Sequence, residues 1–492
     1  MGTQNEETKG TGEATQETTA LKDYQQLFSA RSIKNYLASF FGPFGYQGLG
    51  YVLFSTYLTM VYSTKYNVNV AAIATVLSVG IIIDGVTDFL MGIVVDRVRT
   101  KWGKAKHWFL ITAVPLGLSI GLMWMVPESA SSTMVLVWAF IFYNLFCTFA
   151  TMIRIPTQSL GALLSDSSKV RSWIGWAIGA ATTLASSVAG WVIVPIMAAY
   201  GDTLFSYRLL AWIMGIATTV LIFAAGLLIT EQRTGDDWKA IDAEYKQLHG
   251  SAKRESIIDQ IRFIASNRWW LTMVVINLFN SFSMGFAFGT MAWFMQYVVG
   301  DMSLMGVMFT VLSIPNFVGT IVGLPVSSFL EAKLTMQLSA ILQAIATVVM
   351  WVAGPSHMTL LFFGLGAKAF LSGVTAPANM VLLSRIVDYG EWKNGVRQEG
   401  LNSSGIAVLQ KITSAIAAAV LGFVIAGFGF SGGPDAVMPE AAKGAISFLY
   451  LGFPCITSIL TAIFWTLFKL DEKTNKMHLA EIAARKAKQA AQ

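Results

Sequence analysis

The chain is a succession of apolar blocks, each about 20 to 28 residues long, and nothing constrains its fold more. A helix of that length crosses a hydrocarbon core of about 30 Å. Twelve transmembrane helices are predicted, at 37–62, 70–95, 107–126, 133–160, 173–199, 207–230, 269–298, 304–328, 334–353, 358–386, 403–429 and 444–469. Composition says the same: of 492 residues 54% are hydrophobic and 13% charged, about half the charged share of a soluble domain. The alternation of a membrane β-barrel is missing. The expected fold class is therefore an all-α membrane protein, with the lipid bilayer as its partner.

Charge orients the helices. The loop from Asp96 to Lys106 holds five basic residues and the segment 231–268 holds seven, whereas the opposite loops 127–132, 299–303 and 354–357 hold none. By the positive-inside rule both termini are expected in the cytoplasm. The net charge of +6 lies largely in short loops beside apolar blocks, so no nucleic-acid partner is expected. Residues 1–36 read as a disordered cytoplasmic tail rather than a signal peptide, because no short apolar stretch with a cleavage site is present. Segment 231–268 is the long cytoplasmic linker that divides the helices six and six, at 37–230 and 269–470, with a basic tail at 471–492. Two six-helix bundles around a midplane site is the major facilitator arrangement, although no strong internal repeat is visible. Cys147 and Cys455 both fall in apolar blocks, which supports neither a disulfide nor a metal site. No cofactor is expected, and no nucleophile–base pair suggests an enzyme. A monomer is expected.

An ionisable group in mid-membrane costs about 2.5–3.5 kcal/mol on insertion scales, so each one needs a reason. Only Asp84 and Asp88, in IIIDGVTDFLMG, are acids well inside a predicted span. Four residues apart, they share one helix face with Cβ atoms about 6 Å from each other. Two such carboxylates repel, and a bound Na⁺ or H⁺ removes the repulsion. Thr87 lies close enough to add an oxygen. The competing explanation is that the pair bonds a basic residue and ties two helices together. Three basic residues also lie well inside spans: Arg154, Lys368 and Lys411. Either they are counter-ions, or their surplus of positive charge awaits an anionic substrate group. His107, His249, His357 and His478 lie at span ends or in loops, which argues against a histidine proton relay. Gln47, Thr151, Gln158, Asn280 and Asn379 are candidate cavity polar groups, though such residues also join membrane helices to each other.

Two segments carry a family resemblance. DGVTDFLMGIVVDRVRTKWGKAKHW runs from the aspartate pair through the basic loop, and IVDYGEWKNGVRQEG (386–400) leads to Lys411. Together they resemble the glycoside–pentoside–hexuronide:cation symporters of the major facilitator superfamily, over about residues 36–470. The resemblance implies symport of a sugar with Na⁺, Li⁺ or H⁺ across a bacterial inner membrane. It implies cation-site roles for Asp84, Asp88 and Thr151, and places Lys411 beside both cation and sugar. Thr87 stands where the melibiose-transporting members have Asn. Gln47 and Arg154 stand where they have sugar-binding aspartates, and Gly179 where they have an arginine. Arginine suits a carboxylate or sulfonate, so an acidic glycoside or hexuronide is the expected substrate. A neutral glycoside or pentoside, with Arg154 as internal counter-ion, is the alternative; a lysolipid is the alternative from another class. Gly92, Asp96 and Arg97 fit the cytoplasmic loop motif of major facilitators, with Asp388, Glu391, Arg397 and Glu399 as gate partners from the other half or else as solvated charges.

Overall fold

The computed structural model describes residues 27–98, 100–165, 167–232, 237, 262, 265–395, 399–430 and 437–490. Apart from one isolated bridge between Thr100 and Gly103, the regular structure among them is helical. The helix α1 runs unbroken through three segments, Ala30–Pro43, a π-helical stretch Phe44–Gly50, and Tyr51–Lys65. Then follow α2 (Val70–Arg97), α3 (Lys106–Met123), α4 (Ser132–Leu164), α5 (Ser168–Tyr200) and α6 (Leu204–Leu228). The second half holds α7 (Arg268–Trp293, extended by π-helical Phe294–Val299), α8 (Met305–Phe329), α9 (Ala332–Ala353), α10 (Met358–Asn394) and α11 (Glu399–Gly427). Next come α12 (Glu440–Ser447, Phe448–Gly452 and Phe453–Leu467) and a last helix, α13 (Glu472–Ala490).

Eleven of the described helices are long and apolar enough to span a bilayer. The remaining expected crossing falls on α1, whose middle is diluted by small and polar residues such as Gln47, Gly48 and Gly50. It also begins seven residues before the expected start at 37. Ser29 caps it by accepting from the Ser32 amide at 3.2 Å, and its first turns carry Arg31, Lys34 and Asn35, which a hydropathy reading excludes. Side-chain caps recur where chains re-enter the bundle: Asn69 on α2, Ser131 on α4, Thr203 on α6 and Asn267 on α7. Gly201, Gly354 and Gly395, with φ of 68°, 58° and 76°, close α5, α9 and α10; such a φ suits glycine.

Within the first half α3 packs on α6, α4 on α2 and α3, and α1 on α5 and α6. In the second half α10 packs on α8 and α9, α7 on α11 and α12, and α9 on α12. The halves meet along α2–α11, α5–α8 and α1–α7. Their tightest approaches lie at the end of the bundle remote from the chain termini. A Cβ on Gly422 of α11 would stand 2.1 Å from Ala74 Cβ of α2, and one on Gly190 of α5 would stand 3.2 Å from the Gly306 Cα of α8. The Trp191 indole beside Gly190 donates to the Thr310 hydroxyl at 2.9 Å. Toward the other end, Gly92 on α2 and Gly175 and Gly179 on α5 face open space. Among the described residues the halves are thus held together at the remote, closed end, while these glycines toward the termini, the open end, meet no neighbour.

The open end carries its own ties. The Glu231 carboxylate accepts from the amides of Lys104, Ala105 and Lys106 at 2.7–2.9 Å, which satisfies the N-terminus of α3. On the second half α13 lies across the end of α10. Asn475 donates to Asp388 at 3.2 Å, Trp392 donates to Glu481 at 2.7 Å, and Arg485 donates to the Trp392 carbonyl at 2.8 Å.

Candidate functional site: a carboxylate pair shared by both halves

The chemistry gathers where α2, α4 and α11 meet. Asp84 and Asp88, one turn apart on α2, point at Thr151 of α4. The threonine hydroxyl lies 3.1 Å from Asp84 Oδ1 and 2.7 Å from Asp88 Oδ1. Arg154, one turn further along α4, bonds Asp88 through Nη2 and lies 3.3 Å from the Thr151 hydroxyl. Lys411 reaches across from α11 of the other half and bonds both carboxylates, through Asp84 Oδ2 and Asp88 Oδ2. Side-chain exposures of 18–30% leave all four charged groups within reach of water.

Two anions and two cations therefore balance. The site also offers five hard oxygens, four from the carboxylates and one from Thr151, a donor set suited to Na⁺ or to a proton on either acid. Such an ion meets the carboxylates only in competition with Lys411 and Arg154. Among the described residues no group of three or more His, Cys, Asp or Glu side chains forms a metal-ligand cluster. Thr87 turns its hydroxyl back onto the Asp84 carbonyl at 3.0 Å rather than onto the carboxylates.

Backbone space shapes the site. A Cβ on Gly85 would lie 3.8 Å from Lys411 Cδ, so a small residue here lets the lysine stem pass along α2. Tyr143 of α4 lies on Gly80, where a Cβ would meet its ring at 2.5 Å, one turn before Asp84. Sequence reading passed over Gly80, Gly85 and Tyr143; the glycines four before and one after Asp84 were the available signal. It also missed Gln410, beside Lys411, which donates to Asn277 of α7 at 3.1 Å.

The remaining candidates are placed as follows. Gln47 lies in the π-helical stretch of α1 and is exposed; Gln158 and Asn280 are exposed, and Asn379 is half-buried. None of these four has a side-chain hydrogen-bond partner among the described residues. Lys368 on α10 is half-buried and joins neither the carboxylates nor another charged group. Asp388 and Glu391 are buried at 6% exposure each, and Asp388 is engaged by Asn475 of its own half. Arg397 lies outside the described residues, as do the side chains of Asp96, Arg97 and Glu399.

The family model for the MFS/sugar transport protein family matches residues 40–472. The chain belongs to this family. Among its relatives, the isoprimeverose transporter of Lactiplantibacillus pentosus is 24% identical over 450 residues, covering 90% of this chain and 89% of the other. The inner membrane symporter YicJ of Escherichia coli K12 is 24% identical over 437 residues, covering 86% and 90%. The glucuronide carrier protein homolog of the same organism is 24% identical over 438 residues, covering 87% and 91%. In fold the chain is similar to the inward-open xylose transporter XylE from E. coli, with TM-score 0.60, 12% identity and coverage of 91% and 98%. This major facilitator protein is a multi-pass membrane transporter of the glycoside–pentoside–hexuronide type, and not an enzyme.

Proposed function

We propose that the protein takes up an acidic sugar, a glycoside or hexuronide, with Na⁺ or H⁺ across a bacterial inner membrane by alternating access. The observation that carries the reading is Lys411 of one half bonded to Asp84 and Asp88 of the other. A cation arriving at the carboxylates displaces Lys411 and Arg154, and so loosens a tie between the halves while freeing positive charge for the substrate. Cation and substrate binding then favour each other, which is the linkage that symport needs. With both termini in the cytoplasm, as the basic loops imply, the conformation closed at the remote end is inward-facing. The acidic substrate follows from charge: once a cation neutralises one aspartate, the cavity holds more positive than negative groups. One relative is named for glucuronides.

The Arg154–Asp88 pair favours a second reading, in which Arg154 is a permanent internal counter-ion and the sugar is neutral. A sugar acid and its neutral parent, tested on wild type and Arg154→Gln with the coupling cation present, separate the two. If Arg154 is released to the substrate, its loss weakens the acid about ten- to a hundredfold, since a charge-assisted bond is worth about 1.5–3 kcal/mol, and spares the neutral sugar. Equal loss for both ligands, or transport of the neutral sugar alone, defeats the acidic reading.

A further inference from the structure

Of Arg154, Lys368 and Lys411, the cationic side chains well inside the expected spans, Arg154 and Lys411 are matched by Asp84 and Asp88; Lys368 is not. It makes no hydrogen bond or ion pair among the described residues. An ammonium group within a membrane is expensive unless it meets a partner or water. Its place on α10 shows which space it meets. Positions 361, 365, 368, 372 and 376 follow one another at helical spacing along one face. Leu361 is 0% exposed and Leu365 7%, Lys368 is half-buried, and Ser372 and Ala376 are exposed. Because α10 runs from the closed end toward the open end, Lys368 stands where the packed closure gives way to accessible space. The lysine itself is half-buried among protein atoms and still partly accessible. The α8 side of the helix is occupied: a Cβ on Gly373 would stand 2.1 Å from the Asn316 carbonyl oxygen. Asn379, half-buried and without a partner, continues the accessible face toward the open end.

We propose that Lys368 is a substrate-binding residue at the closed end of the central cavity, where its ammonium group holds the carboxylate or sulfonate of the sugar acid. The proposal rests on the acidic-sugar reading above and supplies it with an anchor in the second half. A lysine presents a compact charge with three rotatable donors, which suits either anion. Ser372, one turn further along the same exposed face, is the nearest hydroxyl to that anchor. Arg154 is held by Asp88 until a cation arrives, so Lys368 is the charge available to the first anion in the cavity.

The test is equilibrium binding of methyl β-D-glucuronide and methyl β-D-glucoside to wild type, Lys368→Gln and Lys368→Arg in lipid nanodiscs. Lys368→Gln is expected to weaken the glucuronide about ten- to a hundredfold and to leave the glucoside within about twofold. Lys368→Arg is expected to restore most of the loss. The proposal is overturned by a Lys368→Gln protein that keeps wild-type glucuronide affinity. It is overturned equally by a parallel loss of both ligands that arginine does not repair, which is the mark of a structural lysine. A wild type that binds the glucoside and rejects the glucuronide defeats the acidic-sugar reading itself, and the Lys368 proposal with it.

Discussion

At the scale of single residues, Lys411 is the group whose removal should be most informative. It lies against both carboxylates and competes with any arriving cation. Lys411→Gln leaves two carboxylates facing each other with Arg154 as the remaining cation bonded to the pair, so they are expected to hold a cation more tightly, by about tenfold or more. Cation-dependent binding in detergent should show the tighter site, and uphill accumulation should fail. Unchanged cation affinity would make Lys411 a bystander. The sequence alone exposes Asp84, Asp88, Thr151 and Lys411 as candidates, because intramembrane charge is rare and the motifs around it are distinctive. It does not reveal that Arg154 is spent on Asp88, nor that Lys368 is left without a partner. Both depend on which helix faces face each other across the bundle, and a single chain's periodicity does not encode that.

At the scale of elements, eleven of the crossings are legible because apolar length specifies them, while their ends are not. Polar first turns such as that of α1 are hidden from hydropathy, and α13, with its charged face, reads as a basic tail. The contact of α13 with α10 makes a prediction of its own. His478 is 8% exposed, with its ring 4.4 Å from Trp392 and 5.4 Å from Tyr389. Desolvation lowers its pKa below the usual histidine value; Glu481 raises it in part and Arg268 lowers it further. A group with a depressed folded pKa is held neutral in the docked state and takes up a proton more readily when undocked. Docking of α13 is therefore expected to weaken as pH falls below about 6.5, and to be complete above it. Hydrogen exchange of residues 472–490, corrected for intrinsic rates, should show lost protection at pH 5.5 relative to 7.5, and His478→Phe should remove the difference. Equal protection at both pH values in the wild type would contradict it.

At the scale of the whole molecule, the closed end depends on close backbone contact between the halves. Gly422→Val places a branched side chain where a Cβ already stands 2.1 Å from Ala74 Cβ, so α2 and α11 must part there. The variant is expected to shift the population away from the conformation closed at the remote end, seen as a longer spin-label distance across the remote ends of α2 and α11. An unchanged distance distribution in a folded Gly422→Val protein would show that this contact does not hold the closure. The halves also meet at Asp84, Asp88 and Lys411, and the central claim is that this meeting point couples the cation to the sugar. The most direct measurement is the accumulation ratio of labelled substrate in proteoliposomes carrying Asp88→Asn, under an inward cation gradient. The ratio is expected to fall to about one while substrate exchange persists, because binding survives and coupling does not. A wild-type accumulation ratio in Asp88→Asn would contradict the account.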